Sequence, residues 1–424
     1  MKYENNHYVP QLILRKYGTK INRYNLKTKE YFINKNIEKS FSVKNLYPKD
    51  LEKKLSKVEC EFARLLNNKI LSAEKKVILF RDEIALIKKF LVLQTFRVPD
   101  AFNKCENSNT NSDFNEKLYG FKEKIITNET YKDYIIRTMN VIIDCKDIYE
   151  VLNHPNKTYE AVKWCLLYKN CYITIWDSKE SGEDFFITDR GMTCEHEKTR
   201  FCFEKFGIKE ELIKTGYLLS KIFDTSLSEQ EKSIYANIYN LSRFVYANYY
   251  MFSISETRMI GLINPWFRLH FDQEKTKILN GIPDVFPCML SREAMKSNSN
   301  KYINAINGEA CISLEQINSK DEYIYEIKNL TQNDVFIINC LMLDRTNEML
   351  GFVNTNKIIR SLNIYSKLNI HLNDFSDLKS KLENLGYDFP DSEKYIKIAF
   401  DFTKIDFTKE EQKYINFMFN FTKK

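Results

Sequence analysis

Between Pro48 and Pro99 the chain carries two apolar stripes at helical spacing, and these constrain its folding more than any other feature. Leu51, Leu55, Val58, Phe62, Leu66 and Ile70 recur at intervals of 4, 3, 4, 4 and 4 residues, the repeat that aligns side chains on one face of an α-helix. A second stripe of Ile84, Ile87, Leu91, Gln94 and Val98 predicts a helix over Val77–Arg97. Pro99 ends it, because the residue before a proline avoids helical dihedrals. Polar residues stand where packing prefers apolar ones: Gln94 lies on the stripe, Arg97 flanks it, and Glu59 edges the first helix. If the two helices pair, these three converge, and a buried charge must then find a partner.

The remaining elements are read from punctuation and period. Pro10 opens and Gly18 closes a short helix over Gln11–Tyr17. Ile21–Leu26 and Glu30–Asn34 predict a hairpin, and so do Cys171–Trp176 and Phe185–Thr188 across the turn SKESGED. Helix is expected over Phe121–Ile142, Tyr159–Lys169, Ile208–Ser242 and Tyr323–Asn347, with exposed loops at Asn103–Asn115 and Lys296–Lys301. The tail predicts a strand at Tyr395–Phe402 and a helix capped by Thr408 and Glu411. The expected class is α+β, predominantly α-helical, with small antiparallel hairpins or sheet.

Composition narrows the function classes. The formal charge of +7 permits a nucleic-acid partner without demanding one, since Lys is spread along the chain. Ten scattered cysteines form no Cys-x-x-Cys pair, which predicts free thiols in a reducing compartment. The first residues lack an apolar signal region and no run approaches a membrane span, so a cytoplasmic protein with no membrane partner is expected. Phosphate-loop, dinucleotide, nucleophile-elbow, kinase, zincin and deaminase motifs are absent. Five histidines remain for any His-based chemistry: His7, His154, His196, His270 and His371.

The opening NHYVPQLILRKYG is the most specific stretch. With His7, Tyr8, Val9, Pro10 and Gln11 in place, it resembles the signature of the domain-of-unknown-function family DUF4238. Later blocks fit the same pattern in order: a helix bearing Glu59, LQTFRVPDAF with Gln94, Arg97 and Pro99, DFFITDRGM with Asp189, and VFIINCLML with Asn339. After Asp189 the chain departs from the family, with Arg190-Gly191 where Asn-Pro is usual. The resemblance runs from residue 6 to 355 and suggests a division into 1–192, an enlarged insertion at 193–283, 284–365, and an unmatched tail at 366–424. It implies a place among bacterial antiphage defence genes, with no chemistry assigned.

Two readings of the polar set stand side by side. In one, the chain is an antiphage effector acting on nucleic acid or another phosphate-bearing substrate, a nuclease or phosphodiester or nucleotide hydrolase. His7, Glu59 and Asp189 would be catalytic, Gln11, Gln94, Arg97 and Asn339 would bind substrate, and Glu59 and Asp189 would favour Mg²⁺ or Mn²⁺ if a metal takes part. In the other, the chain is a non-enzymatic sensor that binds a phage protein, and the signature residues lock the helices together. Cys194-Glu195-His196 as metal ligands and Asn264–Arg268 as a base-stacking segment are weaker alternatives.

Overall fold

The computed structural model describes residues 5–102, 116, 120–148, 150–196, 217, 220–229, 231–232, 247–263, 288–289, 322–367, 373–390 and 409. The expected loops at Asn103–Asn115 and Lys296–Lys301, most of the Ile208–Ser242 helix, the Asn264–Arg268 segment, and the tail strand with its Thr408–Glu411 cap lie outside these residues.

The N-terminal part alternates short strands with helices. Strand β1 (Asn5–His7) leads through Pro10 into α1 (Gln11–Leu14) and a 3-10 turn, and Gly18 closes that turn at φ 109°. Strands β2 (Lys20–Asn25) and β3 (Tyr31–Asn36) form the expected hairpin, and β4 (Ser42–Lys44) returns antiparallel to β1. Helix α2 (Lys49–Leu65) then runs on through a π-helical turn to Ile70, burying all six residues of its stripe.

The second helix begins later than its periodicity suggests. Residues Lys76–Phe80 form strand β5, with Val77 and Leu79 buried and their neighbours exposed, and only Arg81–Arg97 is helix α3. The Glu83 carboxylate accepts from the Phe80 backbone N–H at 2.8 Å and marks the helix start. After α4 (Pro99–Phe102) come α5 (Tyr131–Asp144) and α6 (Tyr159–Asn170). The stretch 121–130 is not helical: Thr130 and Asp133 make a reciprocal cap that starts α5 there.

Strands β6 (Tyr172–Asp177) and β7 (Ile187–Thr188) do not pair with each other, contrary to the hairpin reading. A 3-10 turn and Gly182 in the left-handed region lie between them, and they enter different sheets. Strand β6 joins β8 (Thr193–His196), β9 (Ala247–Ser253), β10 (Arg258–Ile263), β11 (Cys288–Met289) and β12 (Glu322–Asn329) in a seven-stranded sheet that also includes β5. Pairing in that sheet is antiparallel except between β12 and β6. Strand β7 pairs instead with β13 (Met349–Phe352), completing the four-stranded order β3-β2-β13-β7.

The predicted helix over Tyr323–Asn347 divides the same way. Its first half is β12, with Tyr325 and Ile327 buried on either side of exposed Glu326, and its second half is α7 (Gln332–Arg345). Helix α7 is buried from Asp334 to Asp344, as expected for a helix enclosed on all sides, and packs with α8 (Thr355–Ser366). Together with α9 (Ser376–Asn384), these helices build one apolar cluster, while α2, α3, α5 and α6 build another. The class is α+β, with sheets more extensive than isolated hairpins.

Candidate functional site

Helix α3 holds the N-terminal signature by its backbone. Nε2 of Gln94 donates to the Tyr8 carbonyl at 2.8 Å and to the Arg190 carbonyl at 3.5 Å. Arg97 donates to the His7 carbonyl at 2.8 Å and to the Tyr47 hydroxyl at 3.2 Å, and it pairs with Glu59 of α2. Tyr47 closes the loop by donating to the same His7 carbonyl at 3.3 Å. Arg97 is 2% exposed; burial alone would lower its pKa, but Glu59 and Tyr47 raise it, so it remains a cation. Gln94 and Arg97 thus converge on the carbonyls of adjacent signature residues, Tyr8 and His7, and Glu59 joins them through Arg97 alone.

The His7 side chain faces a different set of groups. Its Nε2 stands 3.0 Å from the Glu38 carbonyl and 3.3 Å from Nε2 of Gln11. A carbonyl only accepts, so Nε2 of a neutral ring carries the proton and Nδ1 carries the lone pair. Among the described residues, Nδ1 has no hydrogen-bond partner. Burial lowers the His7 pKa, its bond to Glu38 opposes that, and the charge of Arg97 lowers it further, so the imidazole is held neutral. Gln11 already accepts from Arg15 at 3.0 Å through Oε1, and its amide N–H groups therefore face the Nε2–H donor to donor. His7 of β1, Gln11 of α1 and the exposed Arg15 form one ridge, joined in series by side-chain contacts. Arg15 was not singled out in the sequence; its place four residues beyond Gln11 is the signal that could have found it.

Asp189 lies on the other side of the signature strand. The charges that act on His7 are Arg97, Glu52 and Glu59, whereas those that act on its neighbour Tyr8 are Asp189, Glu348 and Arg23. Asp189 follows β7 directly and accepts from the backbone N–H groups of Asn347 at 3.1 Å and Glu348 at 2.8 Å. Burial pushes its carboxyl up to about 6, against the pull of those two bonds. Asp100 and Arg190 stand beside it, 3.5 Å apart from one another, and Asn347 donates to Asp100 at 2.8 Å. Gly191 ends this turn at φ 62°, against the Gln94 amide.

Asn339 sits apart from all of these, in the middle of α7. It donates to the Asp184 carbonyl at 2.9 Å and to Ser361 at 3.2 Å, and it ties α7 to α8 within the second apolar cluster. Among the described residues, no group of three or more His, Cys, Asp or Glu side chains could hold a metal ion. Glu59 is engaged by Arg97 and Asp189 by two backbone donors, so the oxygen donor set expected for Mg²⁺ or Mn²⁺ does not assemble from them. The backbone of Thr193–His196 is strand β8. No described helix is long and apolar enough to cross a membrane.

A family model with the description "Protein of unknown function (DUF4238)" matches the chain over residues 5–354. No curated protein and no solved structure matches it.

Proposed function

Because the chain belongs to the DUF4238 family, whose description names no activity, we propose a function from its own residues: an antiphage effector that acts on a phosphate-bearing substrate, nucleic acid first among them, through the His7–Gln11–Arg15 ridge. The observation that carries this reading is the His7 ring, neutral, fixed through Nε2 on the Glu38 carbonyl, with Nδ1 bearing the lone pair. An imidazole so oriented suits a general base, which must be deprotonated and within reach of the proton it takes. Arg15 supplies the planar fork that grips a phosphate, and the donor-to-donor contact leaves the Gln11 amide better satisfied by an incoming oxygen than by His7. Glu59, Gln94 and Arg97 then position the ridge and do not touch substrate, and Asp189 fixes the turn behind Tyr8. The antiphage role rests on the family resemblance and the mild positive charge.

The test is cleavage of labelled single- and double-stranded RNA and DNA by the purified chain, with and without Mg²⁺ or Mn²⁺. Wild type is expected to cleave at least one substrate, and His7→Ala to lose about 10²-fold or more of that rate, the scale of a lost general base. The reading is wrong if His7→Ala cleaves at the wild-type rate, or if wild type leaves every substrate intact even with phage lysate added. A second reading, a sensor without catalysis, is favoured by the way Arg97 binds both Glu59 and Tyr47; it predicts that second outcome together with binding of a phage protein.

A further inference from the structure

Residues 15–44 carry nine Lys and Arg against two acids, Glu30 and Glu38. That surplus equals the +7 of the whole chain, and the remaining residues balance, 64 − 9 against 57 − 2. Lysine is spread along the sequence, but its excess over acid is not. The stretch runs from the 3-10 turn after α1 through the β2–β3 hairpin to β4, beside the His7 ridge.

The fold gathers five of these cations at one end of the hairpin. Lys20 opens β2 opposite Asn36, and Lys35 stands opposite Ile21. Arg15 and Lys16 lie in the turn that leads to β2, and Lys39 lies in the turn that follows β3. The chain closes on itself here, with the Ile37 N–H donating to the Thr19 carbonyl at 3.3 Å. Glu38 is the one acid of the stretch at this end. Among the described residues none of the five cations has an ion pair: Arg15 donates to the neutral Gln11 amide, and Lys35 lies over the Phe32 ring, 5.8 Å from its centroid. The lysines at the other end of the hairpin are engaged, Lys27 with Glu348 and Lys29 with the Asp374 carbonyl. Like charges gathered without counter-charges repel one another, and a basic concentration of this kind is the electrostatic footprint of a polyanion.

An aromatic group completes the face. Phe32 pairs with Arg23 across the hairpin, and the guanidinium carbon lies 5.4 Å from the ring centroid. Arg23 donates to the Lys39 carbonyl at 3.3 Å, and the preceding carbonyl, that of Glu38, holds the His7 ring. The platform is thereby tied to the ridge. Strand β3 is the edge of its sheet, and among the described residues no strand pairs with its outer side.

We propose that this face binds a single-stranded nucleic acid, with its phosphates on Arg15, Lys16, Lys20, Lys35 and Lys39 and a base against the Phe32–Arg23 pair. The inference rests on nucleic acid as the substrate of the His7 ridge and supplies the surface that delivers it. Cationic side chains neutralise phosphates whatever the sequence. Bases stack on aromatic rings and Arg planes where they are unpaired, which favours a single strand over a duplex.

The experiment is fluorescence anisotropy of a labelled oligonucleotide, as DNA and as RNA, titrated with the full chain in EDTA over a series of NaCl concentrations. The same sequence as a duplex, and vesicles of phosphatidylserine and phosphatidylcholine, serve as competitors. Saturable binding is expected, falling with salt at a logarithmic slope of about −3, and about tenfold weaker for the duplex. The triple variant Lys20→Gln, Lys35→Gln, Lys39→Gln should flatten that slope by about 2. An equal loss of charge elsewhere, Lys53→Gln, Lys57→Gln, Lys124→Gln, should leave it unchanged. All six lysines are exposed, so both variants are expected to fold, and thermal melting checks it. Phe32→Leu should weaken the single strand about tenfold, to the duplex level. The proposal is overturned if the strand does not bind, if the duplex or the vesicles bind as tightly, or if the two triple variants behave alike. A strand that binds in EDTA through these lysines but is never cleaved with metal present ends the reading of His7 and supports this one.

Discussion

Gly191 adopts a φ of +62°, and a Cβ there would stand 2.7 Å from Nε2 of Gln94, the atom that holds the Tyr8 carbonyl. A side chain is therefore excluded twice, by backbone conformation and by space. Gly191→Ala is predicted to cost about 1–3 kcal/mol in urea unfolding and to loosen the signature strand. Asp189, two residues earlier, gives a pH signature. Its folded carboxyl titrates near 6 against an ordinary 3.8, so the folded state holds the proton more tightly than the unfolded state does. The stability this contributes is complete below about pH 4 and is lost as pH rises through 6, by about 2–3 kcal/mol in total. Asp189→Asn should remove that slope from a plot of unfolding free energy against pH; an unchanged slope would place the titration elsewhere. The sequence marks Glu59, Gln94 and Arg97 because polar residues interrupt or flank apolar stripes. It does not say that their partners are the carbonyls of His7 and Tyr8, since backbone acceptors leave no trace in residue identity.

At the level of elements, α3 does more than pair with α2. Lys88 is 5% exposed and donates to the carbonyls of Lys169 at 2.8 Å and Cys171 at 2.6 Å, at the end of α6. Lys89 does the same for Ile143 and Cys145 at the end of α5, at 2.8 and 2.6 Å. Helix ends leave carbonyls unpaired and carry partial negative charge, so each ammonium meets both needs. Burial brings Lys88 down to about 8. Lys88→Met keeps the stem and strands two carbonyls, with an expected loss of about 1–3 kcal/mol and faster amide exchange at the last turn of α6. No periodic signal announces this, because a lysine on a helix ordinarily reads as exposed. The same limit explains β5 and β12. Each is a short alternating run fused to a helix without Gly or Pro between, so helical periodicity absorbed it. The Thr331–Asp334 cap, with bonds of 3.0 and 3.2 Å, was present in the sequence and would have separated β12 from α7.

Across the whole molecule, long-range pairings carry the architecture. Strand β7 pairs with β13 across more than 160 residues of chain, and β12 is hydrogen-bonded to both β5 and β6. Such partners cannot be read from local pattern, which is why the apparent hairpin before Asp189 dissolved into two sheets. Arg258 is one of the ties: it pairs with Asp177 and donates to the carbonyls of Ile70 at 2.8 Å and Ala73 at 3.2 Å, joining the large sheet to the end of α2. Arg258→Met leaves Asp177 buried without its partner, and a loss of about 3–5 kcal/mol is expected, with earlier proteolytic cutting after residue 70. The central claim concerns how the signature residues divide between chemistry and scaffold. Its most direct test is a plaque assay on cells expressing wild type, His7→Ala, Arg15→Ala, Gln94→Leu and Arg97→Met, with soluble protein and melting temperature measured for each. Protection lost in the His7 and Arg15 variants at an unchanged melting temperature, and lost in the Gln94 and Arg97 variants only with a fall in melting temperature, is the predicted pattern. Full protection by folded His7→Ala would contradict it.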